Sequence, residues 1–131
     1  WPWLSLRQKK IIHGSLKSTG ISDLEDRLPS KLSGGQLSRA GLARILIQNR
    51  PILLLDEPFS ALGPAQKNQM LDLVAKIAKQ RHILVLLVTH DPMDAIRIAP
   101  QTITVIDGLV SGPLETHLAL DKKSGPLTKY L

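Results

Sequence analysis

Cysteine is absent from all 131 residues, which excludes disulfides and thiolate-held metals within the chain. Aromatic side chains are scarce as well: two Trp, one Tyr and one Phe make up 3%. Any core must then be aliphatic, and nucleic-acid bases would find almost no stacking platforms. No apolar run nears the roughly 18 residues that cross a bilayer as a helix. The longest, Ile83 to Val88, is strand-sized. A secretory leader does not fit, because Trp1-Pro2-Trp3 runs into a polar, basic stretch. The chain opens on Trp rather than Met, so a processed or partial chain is the expectation. A phosphate-cradling Gly-x-x-x-x-Gly-Lys-Ser/Thr loop is also missing. Lys17-Ser18-Thr19 mimics its tail, but the two glycine positions are held by Leu16 and Ile11.

The chain does carry positive charge, a formal net +6. Its basic residues, among them Arg7, Lys9, Lys10, Lys17, Arg39, Arg44, Lys67, Lys76 and Lys79, are spread along the sequence and form no stripe. A solvated surface is expected from this, not a nucleic-acid interface.

Apolar spacing and turn residues predict an alternation of helices and strands. Ser5 can cap a helix with Leu6, Ile11, Ile12 and Leu16, ended by Gly20, with a short helical turn before Pro29. Ser33 can cap a second helix with Ala40, Ala43, Leu46 and Ile47 on one face, stopped at Asn49-Arg50-Pro51. Ile52 to Leu55 and Ile83 to Val88 are continuous apolar runs, which suit parallel strands buried on both faces. Between them, Gln66 to Gln80 has Met70, Leu71, Val74, Ile77 and Ala78 at helical spacing. Pro92 suits the first turn of a helix over residues 93–98. Asp107-Gly108 between Thr102–Ile106 and Leu109-Val110 signals a hairpin. The last twenty residues are polar and weakly patterned. Strand, helix, strand, helix is the order of a doubly wound α/β layer, whose ligands gather beyond the strand C-termini. Asp56-Glu57 and His90 both stand at such ends, and are expected to converge.

Three clusters carry chemistry. In Ser33-Gly34-Gly35-Gln36, a helix N-terminus offers unpaired N–H groups to an anion, and two glycines let a phosphate come close. Asp56, ending an apolar strand, can hold Mg²⁺. The adjacent Glu57 can orient and deprotonate a water. His90 can hydrogen-bond a phosphate. The other histidines, His13, His82 and His117, have no such company.

In this order and spacing, these residues resemble the ABC transporter ATPases. Leu32 to Gln36 reads as their signature motif, Ile52 to Pro58 as the Walker B strand with its following Glu, Ser60-Ala61-Leu62-Gly63 as the D-loop, and His90 as the switch histidine. The likeness covers about Leu6 to Val110. The run from Asp56 to Leu62, with Asp94 to Ala99 and Asp107-Gly108, is similar to importer ATPases of the thiamine type in particular. Two departures stand out: Gly63 replaces the usual D-loop Asp, and Leu37-Ser38-Arg39 replaces a Gln/Arg-rich run.

The resemblance implies an α/β chain equal to the C-terminal half of a P-loop NTPase (RecA-like) domain with part of its helical subdomain. Residues 5–48 would form the helical and signature region, 51–110 the core from Walker B to the switch histidine, and 111–131 a tail. It further implies ATP and Mg²⁺ as cofactors. Ser33, Gly34, Gly35 and Gln36 would meet the ATP held by a second, head-to-tail ATPase domain, with Ser60 to Gly63 at the seam. Asp56 would help hold Mg²⁺, Glu57 would be the general base, and His90 would sense the γ-phosphate. Arg39 and its helix would belong to the part that meets membrane permease subunits, on the cytoplasmic face of a bacterial inner membrane. Lacking Walker A, this chain alone is expected not to hydrolyse ATP. A truncated relative that only binds partners is the alternative. A DNA-repair ATPase of the same superfamily is a weaker one, since no heptad run precedes Leu32.

Overall fold

Helix α1 (Leu6–Ser18) starts where a reciprocal cap closes it. The Gln8 N–H donates to Ser5 Oγ, and Ser5 N–H donates to Gln8 Oε1 at 2.8 Å. It ends at Thr19, followed by Gly20 at φ +70°, a conformation that glycine adopts without penalty. Two single turns of 3₁₀ helix, Ser22–Leu24 and Pro29–Lys31, lead to α2 (Gly34–Ile47). The computed structural model describes residues 2–121; the polar stretch expected beyond residue 121 lies outside them. Among the described residues no helix is long and apolar enough to cross a membrane.

The chain divides into two compact units, Trp1–Leu86 and Leu87–Leu131. In the first, α2 is followed by strand β1 (Ile52–Asp56), helix α3 (Pro64–Arg81) and the start of strand β2 (Leu84–Val88). β1 and β2 are neighbours in a two-stranded sheet. Leu84 N–H donates to Pro51 O at 2.9 Å, so both strands begin side by side, as a parallel pair joined by a helical crossover does. Leu42, Ala43 and Leu46 of α2, Leu53 and Leu55 of β1, and Met70, Leu71, Val74 and Ile77 of α3 are buried and form the core. Four of the five apolar α3 positions expected from spacing are in it. On α2 the buried face is rotated from the expected one: Leu42 is inside and Ile47 is exposed. Arg81 ties the three helices together at their C-terminal ends, donating to Ser18 Oγ at 3.0 Å and to Leu46 O at 3.4 Å. Arg39, nearer the start of α2, joins that helix to the end of α1, donating to Thr19 O at 2.9 Å.

The expectation that both strands are buried on both faces is not met. Ile52 and Leu54 on β1, and Leu84 and Leu86 on β2, are each more than half exposed. The helices of this first unit leave those four side chains uncovered.

In the second unit, helix α4 (Pro92–Ile98) is capped by Asp91, whose carboxylate accepts the Met93 N–H. Strands β4 (Val105–Ile106) and β5 (Leu109–Val110) form the expected hairpin. Asp107 and Gly108 both have positive φ, as a two-residue type I′ turn requires. Thr102 is not part of that hairpin. It belongs to β3 (Gln101–Thr102), which pairs antiparallel with β6 (Leu114–Glu115), and helix α5 (Thr116–Ala119) follows. β6 and α5 fall in the stretch expected to lack pattern. They are two and four residues long, too short for any periodicity to show. Hydroxyls hold them instead: Thr116 Oγ1 lies 2.6 Å from Ala99 O and 2.9 Å from Thr102 Oγ1.

Candidate functional site

The N-terminus of α2 is built by a second reciprocal cap. Ser33 is extended, its Oγ accepts the Gln36 N–H at 3.3 Å, and Gln36 Oε1 accepts the Ser33 N–H at 2.9 Å. Leu37 N–H is already spent on Ser33 O. The N–H groups of Gly34 and Gly35 therefore have no acceptor among the described residues. They are the two orphan donors of this helix, at the positive end of its dipole. Ser33 Oγ, accepting from Gln36, still has a hydrogen to donate.

Packing within the chain does not require glycine at either position. A Cβ on Gly34 would lie 3.7 Å from Leu62 Cδ2, and one on Gly35 would lie 3.7 Å from the Gln66 carboxamide. Both are ordinary contacts. What a side chain would obstruct is approach from outside to the free N–H groups, and an anion is the group that uses them. The same contacts show that the Ser33–Gln36 cluster and the Ser60–Gly63 loop, 24 or more residues apart in sequence, meet in space.

Asp56 is the last residue of β1 and is exposed. Glu57 follows it, half-buried, at φ +43°. A left-handed backbone at a non-glycine residue stores strain, about 1–3 kcal/mol, and is held only by its surroundings. Here the holders are visible. The Glu57 carbonyl accepts Ser60 N–H at 3.3 Å and Ser60 Oγ at 3.1 Å. Leu62 N–H donates to Phe59 O, and the Phe59 ring is buried. The turn thus ties the Glu57 backbone to the Ser60–Gly63 loop. No group of three His, Cys, Asp or Glu able to hold a metal exists among the described residues. A cation at Asp56 would take its other ligands from water and phosphate oxygens, which is the habit of Mg²⁺ and not of Zn²⁺. The residues fit a magnesium–phosphate ligand on that ground.

His90 belongs to the second unit, exposed, just past β2. Its neighbours are fixed. Thr89 Oγ1 donates to Asp94 Oδ2 at 2.8 Å and accepts the Asp91 N–H at 3.1 Å. Asp94 is buried. Sequence reasoning passed over this Thr89–Asp94 brace. The available signal was an Asx cap, Asp91-Pro92, with a second carboxylate three residues on.

Comparison with known proteins gives a consistent picture. The ABC transporter family matches residues 5–60. The thiamine import ATP-binding protein ThiQ of a Ruegeria species is 48% identical over 125 residues, covering 95% of this chain and 54% of that protein. ThiQ of Cereibacter sphaeroides is 50% identical over 128 residues, covering 98% and 55%. The chain therefore spans about half the length of the curated relatives it matches. Among solved structures, cbiO1 from Clostridium perfringens, part of the ABC transporter complex cbiONQ, superposes with a TM-score of 0.81 at 27% identity, covering 88% of this chain and 46% of that one.

Proposed function

We propose that this chain, which matches the ABC transporter family over residues 5–60 and the two ThiQ relatives at 48% and 50% identity, carries the signature, Walker B and switch-histidine part of an ATP-hydrolysing domain that energises thiamine import. The observation that carries this reading is the first turn of α2: two orphan glycine N–H groups, set against the loop that follows the Asp56-Glu57 carboxylates.

When bound, MgATP supplies an electrophilic γ-phosphate and a metal that neutralises developing charge. In a head-to-tail pair with two such ligands, the chain's own groups have separate tasks, and those at the start of α2 serve the partner's ATP. Gly34 and Gly35 donate their N–H groups, and Ser33 its hydroxyl, to the γ-phosphate of an ATP carried by a second, head-to-tail domain. Gln36 contributes by holding Ser33 in its cap. Asp56 binds Mg²⁺ directly or through water. Glu57 accepts the proton of the attacking water, from a left-handed backbone position that the Ser60 hydrogen bonds hold. His90 donates a hydrogen bond to a γ-phosphate oxygen, with Thr89 and Asp91 braced on either side of it. Ser60 to Gly63 line the seam between the domains. The permease subunits and the cytoplasmic face of the bacterial inner membrane follow from the importer reading. Thiamine follows from what the named relatives import.

No Gly-x-x-x-x-Gly-Lys-Ser/Thr loop is present in the 131 residues, so nothing here grips β- and γ-phosphates in cis. Activity then requires a second segment that has such a loop. The test pairs this chain with the Walker A-bearing half of a thiamine import relative. Glu57→Gln in that pair is expected to lower turnover by about 10²–10⁴-fold, the usual worth of a general base, while ATP-dependent dimerisation, read by light scattering, persists. Turnover unchanged in the Glu57→Gln pair would refute the assignment of the base.

A further inference from the structure

We infer that Gln66 is an additional positioning residue of the phosphate site at the start of α2, donating from its carboxamide to the same anion as Gly34 and Gly35; this rests on the reading of that site given above. Gln66 lies in the first turn of α3, just after Gly63 and Pro64. Its Cδ and Nε2 lie 3.7 Å, and its Oε1 3.8 Å, from the point where a Gly35 Cβ would stand. In a helix the Cα–Cβ bond tilts toward the N-terminus. A group beside that point therefore sits at the rim from which the free N–H groups point. Oxygen and nitrogen of the carboxamide are nearly equidistant from Gly35, so a rotation of the terminal torsion is enough to present its two N–H donors.

Two further facts support a role toward an external anion. Gln66 is exposed and has no hydrogen-bond partner among the described residues, so its donors are uncommitted. No carboxylate stands in the first turn of α2 or of α3, so the rim is electropositive from both helix ends. Gly63 has no side chain to contribute, which leaves Gln66 as the polar group that the Ser60–Gln66 segment places against Gly35. A neutral amide there adds a hydrogen bond without adding charge.

The test is a titration of the whole ¹⁵N-labelled chain with inorganic pyrophosphate at fixed ionic strength, following the Gly34 and Gly35 amides. The wild-type chain is compared with Gln66→Met, Gln66→Glu and Gln66→Lys. Loss of one charge-assisted hydrogen bond should weaken Gln66→Met several-fold, and a carboxylate in its place should weaken Gln66→Glu by about tenfold or more. Gln66→Lys should bind as tightly as wild type or tighter. That order by charge separates a contact with the anion from a packing role, in which all three substitutions would weaken binding alike. Wild-type Gly34 and Gly35 shifts with equal affinities across the series overturn the role of Gln66 and leave the site standing. No response of Gly34 and Gly35 in the wild-type chain overturns the site and the inference together. Where Gln66→Glu fails to fold, Gln66→Lys against Gln66→Met carries the same comparison.

Discussion

Adjacent residues of β1 meet opposite surroundings. Leu53 and Leu55 are 5% and 7% exposed, whereas Ile52 and Leu54 are 51% and 69% exposed. The side-chain period of a strand is two, so each pair lines one face. One face is core and the other is bare. β2 shows the same on its open side, with Leu84 and Leu86 at 65% and 54%. An uninterrupted aliphatic run is what a strand needs when both faces are covered. The sequence is thus written for two covers, and the described residues supply one. A chain that spans about half of its curated relatives is the simple physical counterpart of this. The bare face is also an association risk for the chain on its own.

The largest expected effect lies on the covered face. Leu71→Ala, at a position 1% exposed, should cost about 2–5 kcal/mol in urea unfolding, the range for a cavity in a packed core. Leu54→Ala should change stability by less than about 0.5 kcal/mol, because little burial is lost. The contrast sharpens when the Walker A-bearing half is added. Leu54→Ala should then approach the cost of Leu71→Ala in the complex, and a continued near-zero cost would show that the bare face is not where the second segment packs.

A smaller effect is expected at the cap. Ser33→Ala removes the acceptor for Gln36 N–H and should cost about 1 kcal/mol, seen as a lowered urea midpoint. It also removes a hydroxyl from the candidate anion site, so its effect on turnover in the paired assembly should exceed what that stability loss explains. Equal, small effects on both would assign Ser33 to capping alone.

How much of this was legible in the residues depends on the length of each signal. α1, α2 and α3 each present several turns of periodic pattern, and for α1 and α2 a Ser-x-x-Gln cap at the start, so their limits were readable to within about two residues, as element boundaries allow. The hairpin at Asp107-Gly108 was readable because few sequences accept positive φ at two successive positions. β3, β6 and α5 were not, since two- and four-residue elements are chosen by tertiary hydroxyl contacts at Thr102 and Thr116. Burial of the strands was misjudged because sequence pattern reports what a strand can tolerate on each face, not whether a covering layer is there. Within the site, the residue types of Ser33–Gln36 and Asp56-Glu57 were plain. The approach of Leu62 and Gln66 to the two glycines was not, because contacts between segments 25 or more residues apart leave no local trace.

The most direct test of the central claim is steady-state phosphate release from MgATP by this chain alone, by the Walker A-bearing half of a thiamine import relative alone, and by the two together. The account predicts background rates for each half and turnover only for the mixture, abolished by Glu57→Gln. Turnover by this chain alone at rates above background, lost on Glu57→Gln, would contradict it, for it would place a complete ATPase site within these 131 residues.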